Sequence, residues 1–83
     1  MISTKGRYAL RVMIDLAEHR GKGCIPLKEI AERQGVSKKY LEIIVKELVR
    51  GKMVIGQGGH GGGYVLCREP EEYTVGEILE WME

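Results

Sequence analysis

No phenylalanine occurs among the 83 residues, and there are only one tryptophan, two cysteines and two prolines. Without phenylalanine, a core has to be built from aliphatic side chains. Cys24 and Cys67 stand far apart and form no C-x-x-C pair. That excludes a disulfide framework and leads us to expect reduced cytoplasmic thiols. No uninterrupted apolar run approaches the roughly 20 residues that a bilayer span needs. Lys5, Arg7 and Arg11 break any apolar stretch behind Met1, so no signal peptide is expected. Hydrophobic residues make up 43% and charged ones 30%, which excludes collagen-like and disordered chains. A chain this short buries only about 60–65% of its unfolded surface, enough for one core and one domain.

A charge excess is also absent from the total, which is +1. It reappears when the chain is divided. Residues 1–67 carry 12 Lys/Arg against 6 Asp/Glu, and residues 68–83 carry one Arg against six Glu. A basic body with an acidic tail is the distribution that an anionic partner on one face requires.

Helical periodicity runs from about Ser3 to Arg20. Ala9, Val12, Met13, Leu16 and Ala17 form the apolar stripe, with Arg11, Asp15 and Glu18 outside it. Ser3 or Thr4 serves as the cap and Gly21 as the stop. Pro26 opens a second helix over about Leu27–Gln34, with Ile30 and Ala31 facing inward and Gly35 ending it. Ser37 then caps a third helix reaching about Arg50, where Leu41, Ile44, Val45 and Leu48 make the stripe and Gly51 supplies the stop. About three residues separate these two helices, a helix-turn-helix length. The small side chain of Ala31 lets them cross closely.

The period then changes. Met53–Ile55 and Tyr64–Cys67 are β-prone runs around the glycine-rich stretch 56–63, which predicts a hairpin with a long flexible tip. After Pro70, Thr74 and Glu77 form a T-x-x-E capping box, with Tyr73 and Ile78 as its hydrophobic staple. Val75, Ile78, Leu79 and Met82 stripe a last helix over about 75–83. The fold class expected is mostly α with a small β-hairpin: a winged helix-turn-helix over residues 1–83, the tri-helix motif at about 27–50 and the wing at about 53–67.

With its stripe buried, the third helix presents Lys38, Lys39, Glu42, Ile43, Lys46 and Arg50. The first turns of such a helix reach base edges while flanking cations hold phosphates. Lys39 is placed to donate to guanine O6/N7, and Glu42 to accept from a cytosine N4 or to pair with Lys38 or Lys46. Ser37, Tyr40 and the helix N-terminal amides suit a phosphate. Lys28 joins these candidates from the second helix. In the wing, Gln57 and His60 are the side chains able to hydrogen-bond in a minor groove. His60 has no second metal ligand nearby, so no metal site is expected.

Gly56-Gln57-Gly58-Gly59-His60-Gly61 spells G-x-G-x-x-G, yet a second β run and Pro70 come next in the chain. A dinucleotide fingerprint needs a helix N-terminus there. No Walker A sequence occurs either. His19 and His60 have no evident nucleophile partner and no carboxylate pair stands out, so no enzymatic activity or small-molecule substrate is expected.

Thr4-Lys5-Gly6-Arg7-Tyr8-Ala9, Ile30-Ala31-Glu32, Val36-Ser37, Tyr40-Leu41-Glu42 and Gly61-Gly62-Gly63-Tyr64 together resemble the Rrf-type bacterial transcriptional regulators along the whole chain. The resemblance implies a third helix in the major groove and a wing at the minor groove. By position, Thr4 and Lys5 resemble backbone contacts, and Ser37, Lys39, Tyr40 and Glu42 resemble recognition-helix contacts. Where the family's wing often carries an arginine, this chain has Gly58. Family members continue into a long dimerisation helix, many with a three-cysteine loop for a [2Fe–2S] cluster. Cys24 and Cys67 do not match those ligand positions, so no cofactor is expected in this chain, and a cluster only in a longer parent protein. The expectation is a shortened form of a sequence-specific regulator, a repressor, bound to double-stranded DNA as a homodimer among the nucleoid of the cytoplasm. The competing reading is a winged-helix protein-interaction module without DNA readout, and a basic outer face on the third helix argues against it.

Overall fold

In the computed structural model, which describes residues 2–59 and 62–83, Ser3 opens the first helix. Its hydroxyl oxygen accepts the Gly6 N–H at 2.9 Å and starts α1 (Thr4–Glu18). This helix stops two residues before the expected Arg20, with His19 as its C-cap. The next two helices match their expected bounds, α2 at Leu27–Gln34 and α3 at Lys38–Arg50. Between them Gly35 takes φ 65°, a left-handed conformation that costs glycine little. Ser37 caps α3 by accepting the Tyr40 N–H at 3.0 Å. The core is aliphatic, as expected: Val12 and Leu16 of α1, Ile30 of α2, and Leu41, Ile44, Val45 and Leu48 of α3 meet at its centre.

Strands β1 (Val54–Gln57) and β2 (Gly63–Leu66) pair antiparallel, with Val54 opposite Leu66 and Gln57 opposite Gly63. A further rung lies outside the expected hairpin. Ile25, in the loop before α2, exchanges both backbone hydrogen bonds with Tyr64, each at 2.9 Å. This rung explains one of the glycines. A Cβ on Gly63 would lie 2.4 Å from the carbonyl carbon and oxygen of Ile25. Not all the glycines therefore serve a flexible tip: Gly56 and Gly63 belong to the strands, and Gly63 admits a neighbouring backbone.

A short 3-10 turn, Pro70–Glu72, precedes α4 (Val75–Met82). Thr74 caps α4 through the Glu77 N–H at 3.0 Å. Ile78 and Met82 bury against the chain's own α1 side. Trp81 folds back onto the end of α3, its indole N–H donating to the Glu47 carbonyl at 2.7 Å. The room for it comes from Gly51, where a Cβ would stand 2.6 Å from the indole ring. Gly51 has φ −82°, and the left-handed residue after α3 is Lys52, at φ 58°. Gly51 is thus a packing glycine more than a conformational stop. Gly51→Ala is expected to displace Trp81 and cost about 1–2 kcal/mol. Trp81 is the sole tryptophan, so its fluorescence should shift red as Tm falls; an unmoved spectrum would refute the contact.

The structure also corrects Asp15. Lying outside the apolar stripe, it was expected away from the core, yet it is 1% exposed. Arg33 clasps its carboxylate with two hydrogen bonds, Nη2 to Oδ1 at 2.7 Å and Nε to Oδ2 at 3.0 Å. Gln34 adds a third at 3.0 Å. These donors sit on the last turn of α2, just before the turn into α3, so Asp15 fixes the helix-turn-helix on α1.

Candidate nucleic-acid interface

Because Leu41, Ile44, Val45 and Leu48 are buried, the opposite side of α3 is committed to solvent. Lys39, Ile43, Lys46 and Arg50 recur there at i, i+4, i+7 and i+11 and are all exposed. Beside them, on the side of the wing, run Lys38, Glu42 and Val49. The hairpin stands across from this second strip and closes a cleft of about 820 Å³. Lys28 of α2, Lys38, Glu42, Lys46 and Arg50 of α3, and Gln57 of β1 all line it. Half of the expected site residues therefore share one concavity, drawn from three successive elements, α2, α3 and β1. Four of them are cationic and only Glu42 is acidic; none of the six glutamates after Cys67 lines the cleft.

The other candidates lie elsewhere. Lys39 is exposed on the outer strip, one turn before Ile43. The Ser37 hydroxyl oxygen is taken up in capping, which leaves its O–H free to donate. Tyr40 is half-buried, its ring edge-on to Tyr8 at 5.6 Å between centroids, and the Arg11 guanidinium stands 5.1 Å over Tyr8. Sequence reasoning missed this stack, although Tyr8 and Arg11 at i, i+3 were a visible signal. Thr4 and Lys5 stand at the start of α1, away from the cleft and beside Glu83. Hydrogen bonds from the hydroxyl and backbone N–H of Ser3 hold the Glu83 carboxyl below its usual pKa, and the Lys5 charge adds to this. His60 lies outside the described residues.

Two candidates already have partners. Arg50 pairs with Glu47 at 3.1 Å on the exposed edge of α3. Gln57 accepts a hydrogen bond from the Cys24 thiol at 3.0 Å, which leaves its amide NH2 to donate outward. Burial alone would raise the Asp15 pKa. Hydrogen bonds from Arg33 and Gln34, with the charges of Arg33 and His19, reverse that and hold it below the ordinary value.

Comparison with known proteins then decides the family. The model of the Rrf2 family, described as iron-dependent transcriptional regulators, matches residues 2–83. The chain belongs to the Rrf2 family. Among its curated relatives, the HTH-type transcriptional regulator IscR of Sodalis glossinidius is 45% identical over 78 residues, 94% of this chain and 47% of that protein. CymR of Bacillus subtilis is 45% identical over 82 residues, 99% of this chain and 59% of that protein. The chain thus spans about half the length of these Rrf2 relatives. In solved structures, CymR of B. subtilis, a global cysteine regulator, superposes with a TM-score of 0.96 at 44% identity, covering 100% of this chain and 64% of that one. IscR of T. potens gives 0.93 at 46% identity, covering 100% of this chain and 61% of that one. These matches show the winged helix-turn-helix fold and place the chain in a family of transcriptional regulators, not enzymes.

An iron–sulfur cluster is normally held by several thiolates. The described residues offer no group of three or more His, Cys, Asp or Glu placed to hold a metal ion. Cys24 is bonded to Gln57, and Cys67 lies past the other strand, its N–H on the Met53 carbonyl. This donor set does not fit a cluster. No helix among the described residues is long and apolar enough to cross a membrane.

Proposed function

We propose that this chain is the DNA-reading part of a repressor that recognises a pseudo-palindromic operator. Each α3 takes one major-groove half-site, about one helical turn from the other. The wing lies along the neighbouring minor groove. One observation carries the reading: four cations from α2 and α3 converge with Gln57 on a single concave face while the glutamates of the tail stay off it. Phosphates bind the cations, and Lys39 and Glu42 reach base edges. The outer face of α3 exposes two apolar residues, Ile43 and Val49, against four cations, which disfavours the protein-docking alternative.

Dimerisation belongs to the same proposal. Ile78 and Met82 are buried within the chain, and the Trp81 indole is hydrogen-bonded to Glu47. The apolar surface offered to a second subunit is the groove of Leu10, Ile14, Tyr73 and Val75, where Ile14 and Val75 are 57% and 59% exposed. Acting on DNA, the protein works in the cytoplasm, with the nucleoid.

Selection from pooled random duplex DNA at two salt concentrations tests the reading. A recovered palindrome with a steep salt slope is expected; no binding at low salt would overturn it in favour of the protein-interaction module. Lys46→Ala should weaken every sequence alike, by about threefold to fivefold, and flatten the salt slope by about one contact. Glu42→Ala should instead reorder base preferences, and an unchanged order would remove Glu42 from readout.

A further inference from the structure

Ile43 is 55% exposed on the outer strip of α3, between Lys39 one turn before and Lys46 one turn after. It belongs to no part of the core, and it lies outside the apolar groove between α1 and α4. Its neighbours three and four residues away on the helix are Lys39, Tyr40, Lys46 and Glu47, three of them charged. A side chain in this position meets whatever the cationic strip meets. If that is the floor of a major groove, the chemistry of the groove says what an isoleucine there reads. Donors and acceptors on the bases suit Lys39 and Glu42. The C5-methyl of thymine is the one base feature in the major groove that hydrogen bonds cannot read and an aliphatic side chain can.

We propose that Ile43 is a specificity-determining residue that packs on a thymine methyl in each half-site. This rests on the DNA-reading function proposed above. Lys39 and Ile43 lie about 6 Å apart along the helix axis, at 1.5 Å rise per residue. The thymine should therefore fall within one or two base pairs of the position read by Lys39, given a base-pair rise of about 3.4 Å. The side chain gives up exposed apolar surface only on correct DNA, so the contact discriminates between sequences without adding to non-specific binding.

The test uses the duplex that the chain itself selects from the random pool, with each thymine replaced in turn by deoxyuridine. That replacement deletes the methyl and leaves all base pairing intact. One thymine per half-site should lose about fourfold in affinity, the loss expected for one buried methyl contact. Ile43→Ala should bind the parent duplex about as much more weakly and be indifferent to deoxyuridine at that one position. Ile43 is exposed, so circular dichroism and Tm should not change in the variant. If a motif is recovered but no deoxyuridine substitution separates wild type from Ile43→Ala, the proposal fails and the DNA reading stands. If no motif is recovered at all, both fail.

Discussion

Asp15→Asn is expected to destabilise the protein at neutral pH by about 2–4 kcal/mol, and to loosen DNA binding with it. The buried carboxylate holds three hydrogen bonds from α2. Asparagine removes the charge and replaces one acceptor oxygen with an NH2, so the two-point clasp of Arg33 is reduced to one neutral hydrogen bond beside the Glu29 pair at 3.5 Å. For a domain of this size, Tm should fall by roughly 10–20 °C. The pH dependence identifies the cause. The pKa of Asp15 is lowered in the folded state, so its stabilisation is fully present above the unfolded value, about 3.9, and is lost as pH falls through the folded one. The gap between wild type and variant should thus be widest at neutral pH and narrow below about pH 4. Urea denaturation at several pH values reads this directly. A gap that stays constant into acid would show that Asp15 acts by shape and not by charge. Because Arg33 and Gln34 immediately precede the turn into α3, the variant should also bind a selected duplex more weakly under conditions where it remains folded.

This buried carboxylate marks where sequence reading ran out. Positions set by local chemistry could be read directly: Ser37 caps its helix, Gly35 makes the left-handed turn, and the i, i+3, i+4 stripe of α3 faces the core. Each is decided by a few adjacent residues. Asp15 needed a partner 18 residues away, and nothing in the α1 pattern distinguishes a carboxylate clasped by Arg33 from one in water. The Ile25–Tyr64 rung is equally non-local, since its only trace in the sequence is a glycine, Gly63, that also suits a hairpin tip. Gly51 looked like a stop because it comes directly after a helix; its reason is the indole of Trp81, 30 positions later. The cleft was legible as a set of residue types, because cations opposite an apolar stripe must face solvent together. Its closure by the wing was not, because the angle between hairpin and helix depends on packing. The placement of Thr4 and Lys5 was expected from resemblance alone, and they stand at the Glu83 end of the molecule, away from the cleft.

Gly58→Arg is expected to tighten binding to duplex DNA about tenfold at low salt and to steepen the salt dependence by about one phosphate contact. Gly58 is an exposed residue at the tip of the hairpin, where the resemblance to Rrf-type regulators suggests an arginine. The backbone accepts the change: Gly58 has no left-handed φ, and nothing lies within 4 Å of an added Cβ. It also lines the cleft opposite α3, so the new guanidinium would stand on the face that the proposed function sets against DNA. A narrow A·T-rich groove concentrates negative potential and favours an inserted arginine, so the gain should be largest where A·T pairs flank the half-site. Gly62→Arg separates position from charge. It adds the same cation to the same tip, but its Cβ would lie 2.5 Å from the Gln57 carbonyl oxygen, so the hairpin must deform. Binding by that variant should weaken although its net charge is identical. If both arginines tightened binding equally, the gain would be bulk electrostatics and the wing would have no defined place on the duplex. If Gly58→Arg alone gains, and gains with A·T content, the tip of the hairpin is in the minor groove.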